Sequence, residues 1–190
     1  MGRLRSPTID LLVLFVAVYL VQQVAAIVGY GAGWFALATP LDHRPWTLVT
    51  SVYAHTGLQH LGVNAVALAI VGFPLERFAS RLRIHAFVLA TGILGGLAEI
   101  AVASLLGPAG AVMGASGAIL ALYGYALAGN PLSGGLLALL NPGRTVTVVL
   151  LASAAVLVTL LTAGPGIAVV AHATGFVLGI VAGRKRVLTR

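Results

Sequence analysis

Residues 113–129 read MGASGAILALYGYALAG: a serine between small residues, then an apolar run carrying Gly117, Ala121, Gly124 and Ala128 at three- and four-residue intervals. Such spacing puts the small residues on one face of a helix, where backbones can approach closely inside a bilayer. A second stretch, Ala171-His172-Ala173-Thr174-Gly175, sets a lone histidine in another apolar run and continues with Gly179 and Gly183. Unpaired polar groups in hydrocarbon cost on the order of 2–7 kcal/mol. An intramembrane serine and histidine are therefore functional hypotheses by default. Together they offer a nucleophile, Ser116, and its general base, His172.

Composition supports the bilayer reading. Apolar residues make up 59% of the chain and charged residues 8%, against roughly 45–50% and about 25% in soluble domains. Mean hydropathy is +1.05. The expected architecture is all-α: a polytopic membrane protein, residues 1–190 forming a single six-helix bundle without a second globular domain. The net charge of +7 would point to nucleic acid in a soluble chain. Here it points to basic loops that anchor on the cytoplasmic side, and no nucleic-acid partner is expected. The chain has no cysteine, which removes disulfides and thiolate metal sites.

Apolar segments run over approximately 9–29, 57–78, 84–106, 115–129, 146–163 and 167–183. The fourth and sixth are short, as expected of helices that end inside protein. Arg3 and Arg5 ahead of the first segment resemble a signal peptide, but its length and the lack of a small-residue cleavage site favour a retained anchor. Glycine and proline at Gly107-Pro108, Asn130-Pro131, Asn141-Pro142-Gly143 and Gly164-Pro165-Gly166 mark loops.

With both termini cytoplasmic, Arg3, Arg5, Arg77, Arg81, Arg83, Arg144, Arg184, Lys185, Arg186 and Arg190 lie inside, leaving Arg44 alone outside among the 11 basic residues. This obeys the positive-inside rule. The second, fourth and sixth segments then begin outside. Ser116 falls near an outer helix end, and His172 lies about five residues in, roughly 8 Å deep at ~1.5 Å per residue. His60 and Asn64, four apart and on one helical face, share that layer. At a helix start the backbone N–H groups lack partners and the dipole is positive. A developing oxyanion at Ser116 would find donors in those amides, His60 and Asn64.

From about residue 45 to residue 183 the chain resembles the rhomboid intramembrane serine proteases. Three motifs carry the resemblance. They are His55-Thr56-Gly57-Leu58-Gln59-His60-Leu61-Gly62-Val63-Asn64 followed by Gly72 and Glu76, then Gly114-Ala115-Ser116-Gly117, then Ala171-His172-Ala173-Thr174-Gly175 with Gly179. The resemblance implies a Ser116–His172 dyad with no required acid, and an oxyanion hole from the Ser116 amide, His60 and Asn64. Gly114, Gly117, Gly175 and Gly179 would support it. It implies no cofactor and no metal, and transmembrane protein substrates cut near the outer leaflet. The loop from Trp34 to Trp46 resembles the family's membrane-embedded loop. Two positions depart from the pattern: Thr47 follows Trp46 where the family often has arginine, and Leu120 stands where an aromatic often packs on the histidine.

Each site has a plainer reading. Ser116 could be a helix N-cap, His172 interhelical hydrogen-bond glue, and His60 with Asn64 a brace. His55 is expected to organise the loop, His43 and His85 to sit at the interface, and Glu76 with Arg77 to be structural. Glu99, in the outer part of the third segment, is open between protonated, paired and orienting roles. Other classes fit less well. The HExxH spacing of zinc proteases is absent, Asp10 and Asp42 lie at or beyond segment ends, and a transporter would show repeats or ionisable groups along a central path. The reading is an intramembrane serine protease of a prokaryotic cell membrane, with the lipid bilayer and transmembrane substrates as partners and its oligomeric state open. The alternative is a nonproteolytic rhomboid-like protein that binds transmembrane clients.

Overall fold

The computed structural model describes residues 6–107, 110–129, 146 and 168–189. Its helices are α1 (Pro7–Ile27), α2 (Thr47–Tyr53), α3 (Leu58–Leu75), α4 (Arg81–Leu106), α5 (Ser116–Gly129) and α6 (Val169–Arg184), with a 3-10 turn at Ala32–Trp34. Among the described residues no strand forms, only isolated bridges joining Leu37 to Val112 and Ala79 to Thr189.

α1, α3 and α4 have 21, 18 and 26 residues and are apolar enough to cross a membrane. At ~1.5 Å per residue they match the roughly 30 Å hydrocarbon core. α5 and α6, at 14 and 16 residues, are shorter apolar helices. The expected six spans thus resolve into three of full length and two short helices, and the segment at 146–163, apart from residue 146, lies outside the described residues. Observed and expected ends agree to within three residues, and coincide at residues 106 and 129. The unexpected element is α2. Its seven residues are too few for a periodic pattern to show.

Serine starts two of the long helices. Ser6 caps α1 by accepting from Ile9 N–H at 3.2 Å, with Pro7 in the first turn, and Ser80 caps α4 by accepting from Arg83 N–H at 3.3 Å. Such caps contribute about 1 kcal/mol. Along α1, Leu11, Phe15 and Gln22 face inward while Val13, Val16, Leu20 and Val24 stay exposed. That apolar outer face is what lipid contact requires.

The start of α1, the α3–α4 junction and the tail after α6 meet at one end of the bundle. There Arg81 Nε donates to Asp10 Oδ2 at 2.6 Å, and Glu76 Oε2 accepts from Ser6 Oγ at 2.6 Å and Thr8 N–H at 3.2 Å. Gly72 leaves room for Thr8, whose Oγ1 would lie 2.7 Å from an added Cβ. Gly72 and Glu76, the downstream part of the first motif, therefore dock α1 onto α3.

α5 and α6 run parallel with their backbones in contact. A Cβ at Gly175 would land on the Gly117 carbonyl, one at Gly179 on the Ala121 carbonyl, and one at Gly183 would lie 2.7 Å from the Tyr125 carbonyl. On α5, Gly124 meets the Phe176 carbonyl. Gly129, one residue beyond the expected stripe, also abuts Gly183. Leu68, Val71, Phe87, Val88, Ala118 and Leu122 fill the core beside this seam.

Candidate active site

α5 begins where the Ala115 carbonyl accepts the Ile119 N–H at 2.9 Å, making Ser116 the first helical residue. Its own N–H then has no carbonyl partner within the helix. Ser116 Oγ lies 2.7 Å from His172 Nε2, a good hydrogen bond between a hydroxyl and an imidazole nitrogen. His172 is 7% exposed and sits in the first turn of α6, its N–H bonded to the Ala168 carbonyl at 3.0 Å. The helix start, and not the depth in a bilayer, is what the structure adjusts. α6 starts at Val169, so His172 is three residues along, roughly 4.5 Å at ~1.5 Å per residue.

The supporting glycines all lie at close approaches. Gly117 faces the Ala171 carbonyl, 3.0 Å from where its Cβ would be, while Gly175 and Gly179 bring α6 onto α5. Gly114 has φ +131°, and an added Cβ would lie 2.9 Å from His60 Nε2 and 3.8 Å from Ser116 Oγ. No larger residue fits between the serine and that imidazole. Gly114 N–H donates to the Ser51 carbonyl at 2.8 Å, which fixes the loop to α2.

His60 and Asn64 lie one turn apart on α3, as the spacing predicted. His60 Nδ1 accepts from Thr56 N–H at 3.5 Å and lies 3.1 Å from Thr56 Oγ1. A neutral imidazole that accepts at Nδ1 carries its proton on Nε2. The Nε2–H is thus on the side facing Gly114. Asn64 is 3% exposed, and its Nδ2 has no hydrogen-bond partner among the described residues. A buried unsatisfied amide costs about 1–3 kcal/mol. The structure brings Ser116 and His172 into contact, and it brings the His60 ring next to the same glycine.

Two contributors escaped the sequence reading, Gln22 and the Leu37–Val112 pairing, and a third, Glu99, was named there with its role left open. Gln22 of α1 grips the backbone of His55, its Oε1 accepting from His55 N–H at 2.9 Å and its Nε2 donating to the His55 carbonyl at 3.1 Å. A glutamine pair within the first apolar segment was the available signal. Leu37 and Val112 exchange both backbone hydrogen bonds, at 2.8 and 2.9 Å, tying the first loop to the strand-like approach to Ser116. Glu99 Oε2 accepts from Ala171 N–H at 2.8 Å, so this acid is engaged with the backbone of α6. His55 is 2% exposed, packed against Phe15 and His60 with ring centroids 5.1 Å from each. Burial, aided by the neighbouring His60, pushes its pKa down to about 4. The His55 ring packs without a hydrogen-bond partner for either nitrogen among the described residues, and the loop is held through the His55 backbone.

The loop between α1 and α2 is aromatic and exposed. Trp34 stacks on Trp46 at 5.6 Å, Tyr30 meets Trp34 edge-on at 4.8 Å, and Trp46 Nε1 donates to the Trp34 carbonyl at 2.9 Å. Where the family often has arginine, Thr47 Oγ1 donates to the Arg44 carbonyl at 2.7 Å, while the Arg44 guanidinium covers Trp34 and bonds the Gly33 carbonyl. His43 is exposed, and His85 Nε2 lies 3.4 Å from Asp10.

A family model for the Rhomboid domain matches residues 42–188. Human Rhomboid-related protein 3 is 36% identical over 88 residues, 46% of this chain and 21% of that protein. The Rhomboid protease GluP of Bacillus subtilis is 36% identical over 77 residues, 40% of this chain and 15% of its own length. The Inactive RHOMBOID-like protein 8 of Arabidopsis thaliana is 37% identical over 67 residues, 35% of this chain and 18% of its own. The matched part is thus about a fifth, 21%, of the first of these relatives. Mammals, a plant and a bacterium are all represented, so these similarities lend no support to a prokaryotic membrane in particular.

Proposed function

The chain belongs to the rhomboid family, and from that membership we propose that it is an intramembrane serine endopeptidase acting on membrane-anchored proteins. The observation that carries the proposal is the 2.7 Å contact between Ser116 Oγ and His172 Nε2 at the paired N-terminal ends of α5 and α6. His172 Nε2 takes the Ser116 proton as Oγ attacks the substrate carbonyl, and the acyl bond forms on the serine. The same nitrogen then gives the proton to the departing amine, and water completes hydrolysis by the reverse sequence. The oxyanion is received by the Ser116 N–H, the Nε2–H of His60 and Nδ2 of Asn64, each such donor being worth about 10²–10³ in kcat. No metal or cofactor enters.

In this reading residues 1–190 act as one multi-pass membrane domain with both termini cytoplasmic, and the dyad lies towards the outer leaflet, where water is available. A helical substrate must unwind there because its peptide bonds are shielded, so helix-weakening glycine or proline near the cut favours cleavage. The relative named inactive keeps a second reading in play, a nonproteolytic protein that binds transmembrane clients. Co-expression with a single-span model substrate decides between them. Cleavage by the wild type that disappears in Ser116→Ala supports the protease, whereas substrate capture without any cut supports the binder.

A further inference from the structure

The acid on α4 has a use that the dyad leaves unassigned. Glu99 Oε2 accepts the Ala171 N–H at 2.8 Å, and Ala171 is the third residue of α6, directly before His172. N–H groups in a first turn have no carbonyl partner within their helix. A side-chain oxygen that receives one supplies the acceptor this N–H lacks within its helix. The carbonyl of the same residue is wedged between two other helices. A Cβ at Gly95 would lie 3.1 Å from the Ala171 oxygen and one at Gly117 would lie 3.0 Å from it. Ala171 is therefore held from three sides: its N–H by a side chain of α4, its carbonyl by the glycine faces of α4 and α5.

We infer that Glu99 is a positioning residue for His172, acting through the Ala171 amide to set the rotation and height of α6. This rests on the protease reading of Ser116 and His172. The lever is sensitive. A side-chain atom about 5–6 Å from a helix axis moves roughly 1 Å when the helix turns by about 10°, and a 1 Å misplacement of a reacting group costs about 10²-fold in rate. Glu99 thus supports the imidazole without bonding to it: the carboxylate is spent on the backbone one residue earlier. What matters is an acceptor oxygen at this position, not its charge, so an amide carbonyl serves in its place.

The test compares the full-length wild type with Glu99→Gln, Glu99→Leu and Ser116→Ala at matched folded protein. Readouts are kcat and KM on a single-span substrate, and the rate at which a fluorophosphonate labels Ser116. Glu99→Leu is expected to lose about 10–100-fold in kcat and in labelling rate with KM within about twofold, while Glu99→Gln returns to within about threefold of wild type. A Glu99→Leu protein as fast as wild type overturns the inference. So does Glu99→Gln falling as far as Glu99→Leu, which would mean that the charge acts on the imidazole. Should Glu99→Leu not fold, amide-resolved hydrogen exchange on the wild type decides. Ala171 is expected to exchange more slowly than Val169 and Val170, and equal rates overturn the inference. A wild type as inert as Ser116→Ala to substrate and probe removes the protease reading and this inference with it, whereas a reactive wild type with an indifferent Glu99→Leu removes this inference alone.

Discussion

The two sides of the candidate site are built on opposite principles. On the α5–α6 side, backbone meets backbone: Gly175 and Gly179 leave no room for even a methyl group, and Ser116 and His172 are already joined at 2.7 Å. On the α3 side, the helix turns Val63, Val66 and Ile70 outward, each more than 60% exposed, and presents Asn64 with a buried Nδ2 that has no partner among the described residues. One side is closed by backbone contact. The other carries a buried donor with no partner among the described residues. In the protease reading the reacting pair is preassembled, whereas an oxyanion donor makes its bond only as charge develops.

The comparison breaks most simply at the nucleophile. Ser116→Ala is expected to lower cleavage by at least ~10⁴-fold while thermal unfolding stays close to wild type, because the hydroxyl contributes little to packing. Cleavage that persists in this variant would end the serine mechanism.

Next comes the seam. Gly179→Leu drives a side chain into the Ala121 carbonyl, and overpacking of this kind costs about 1–3 kcal/mol or more. We expect a lowered melting temperature and a loss of at least ~10²-fold in cleavage at matched folded protein, since the imbalance moves His172 off Ser116. Val66→Leu, on the exposed face of α3, is expected to change neither. Equal effects from the two substitutions would erase the contrast between the sides.

Asn64→Ala sharpens the contrast from the other direction. It is expected to cost about 10²–10³-fold in kcat with stability within ~1 kcal/mol of wild type, because the deleted amide left a donor unsatisfied. A large fall in stability with kcat intact would make Asn64 a brace and not an oxyanion donor.

A further break concerns acid. His55 has a folded pKa near 4 against 6.5 for the free group, so the unfolded chain binds the proton first as pH falls. Stability present above pH 6.5 should decline between pH 6.5 and 4, at no more than about 1.4 kcal/mol per pH unit. His55→Phe, beside Phe15, is expected to flatten that slope in thermal melts. An unchanged slope would assign the acid sensitivity to other groups.

What the sequence made legible follows from what lipid enforces. α1, α3 and α4 stood out because a bilayer demands long apolar runs, and the seam stood out because only small residues allow that approach. Ser116 and His172 were legible as polar exceptions in those runs. The start of α6 was not, since nothing in the pattern distinguishes residue 167 from 169. α2 was missed because Thr47–Tyr53 mixes polar and apolar residues over two turns. The Leu37–Val112 bridge and the Glu99–Ala171 bond were hidden for a deeper reason: each ends on a backbone atom, and every residue offers the same backbone.

The Gln22 grip on His55 bears on how such a protein may be trimmed or grafted. Similarity to the family model starts at residue 42, yet His55, which opens the first motif, has its backbone N–H and carbonyl both bonded to residue 22. A minimal unit cut where the resemblance starts would strip an amide and a carbonyl, deep beside a histidine 2% exposed, of the partners they have. The boundary drawn by shared ancestry and the boundary drawn by hydrogen bonds are different lines, and for grafting or chimera design the second is the one to respect.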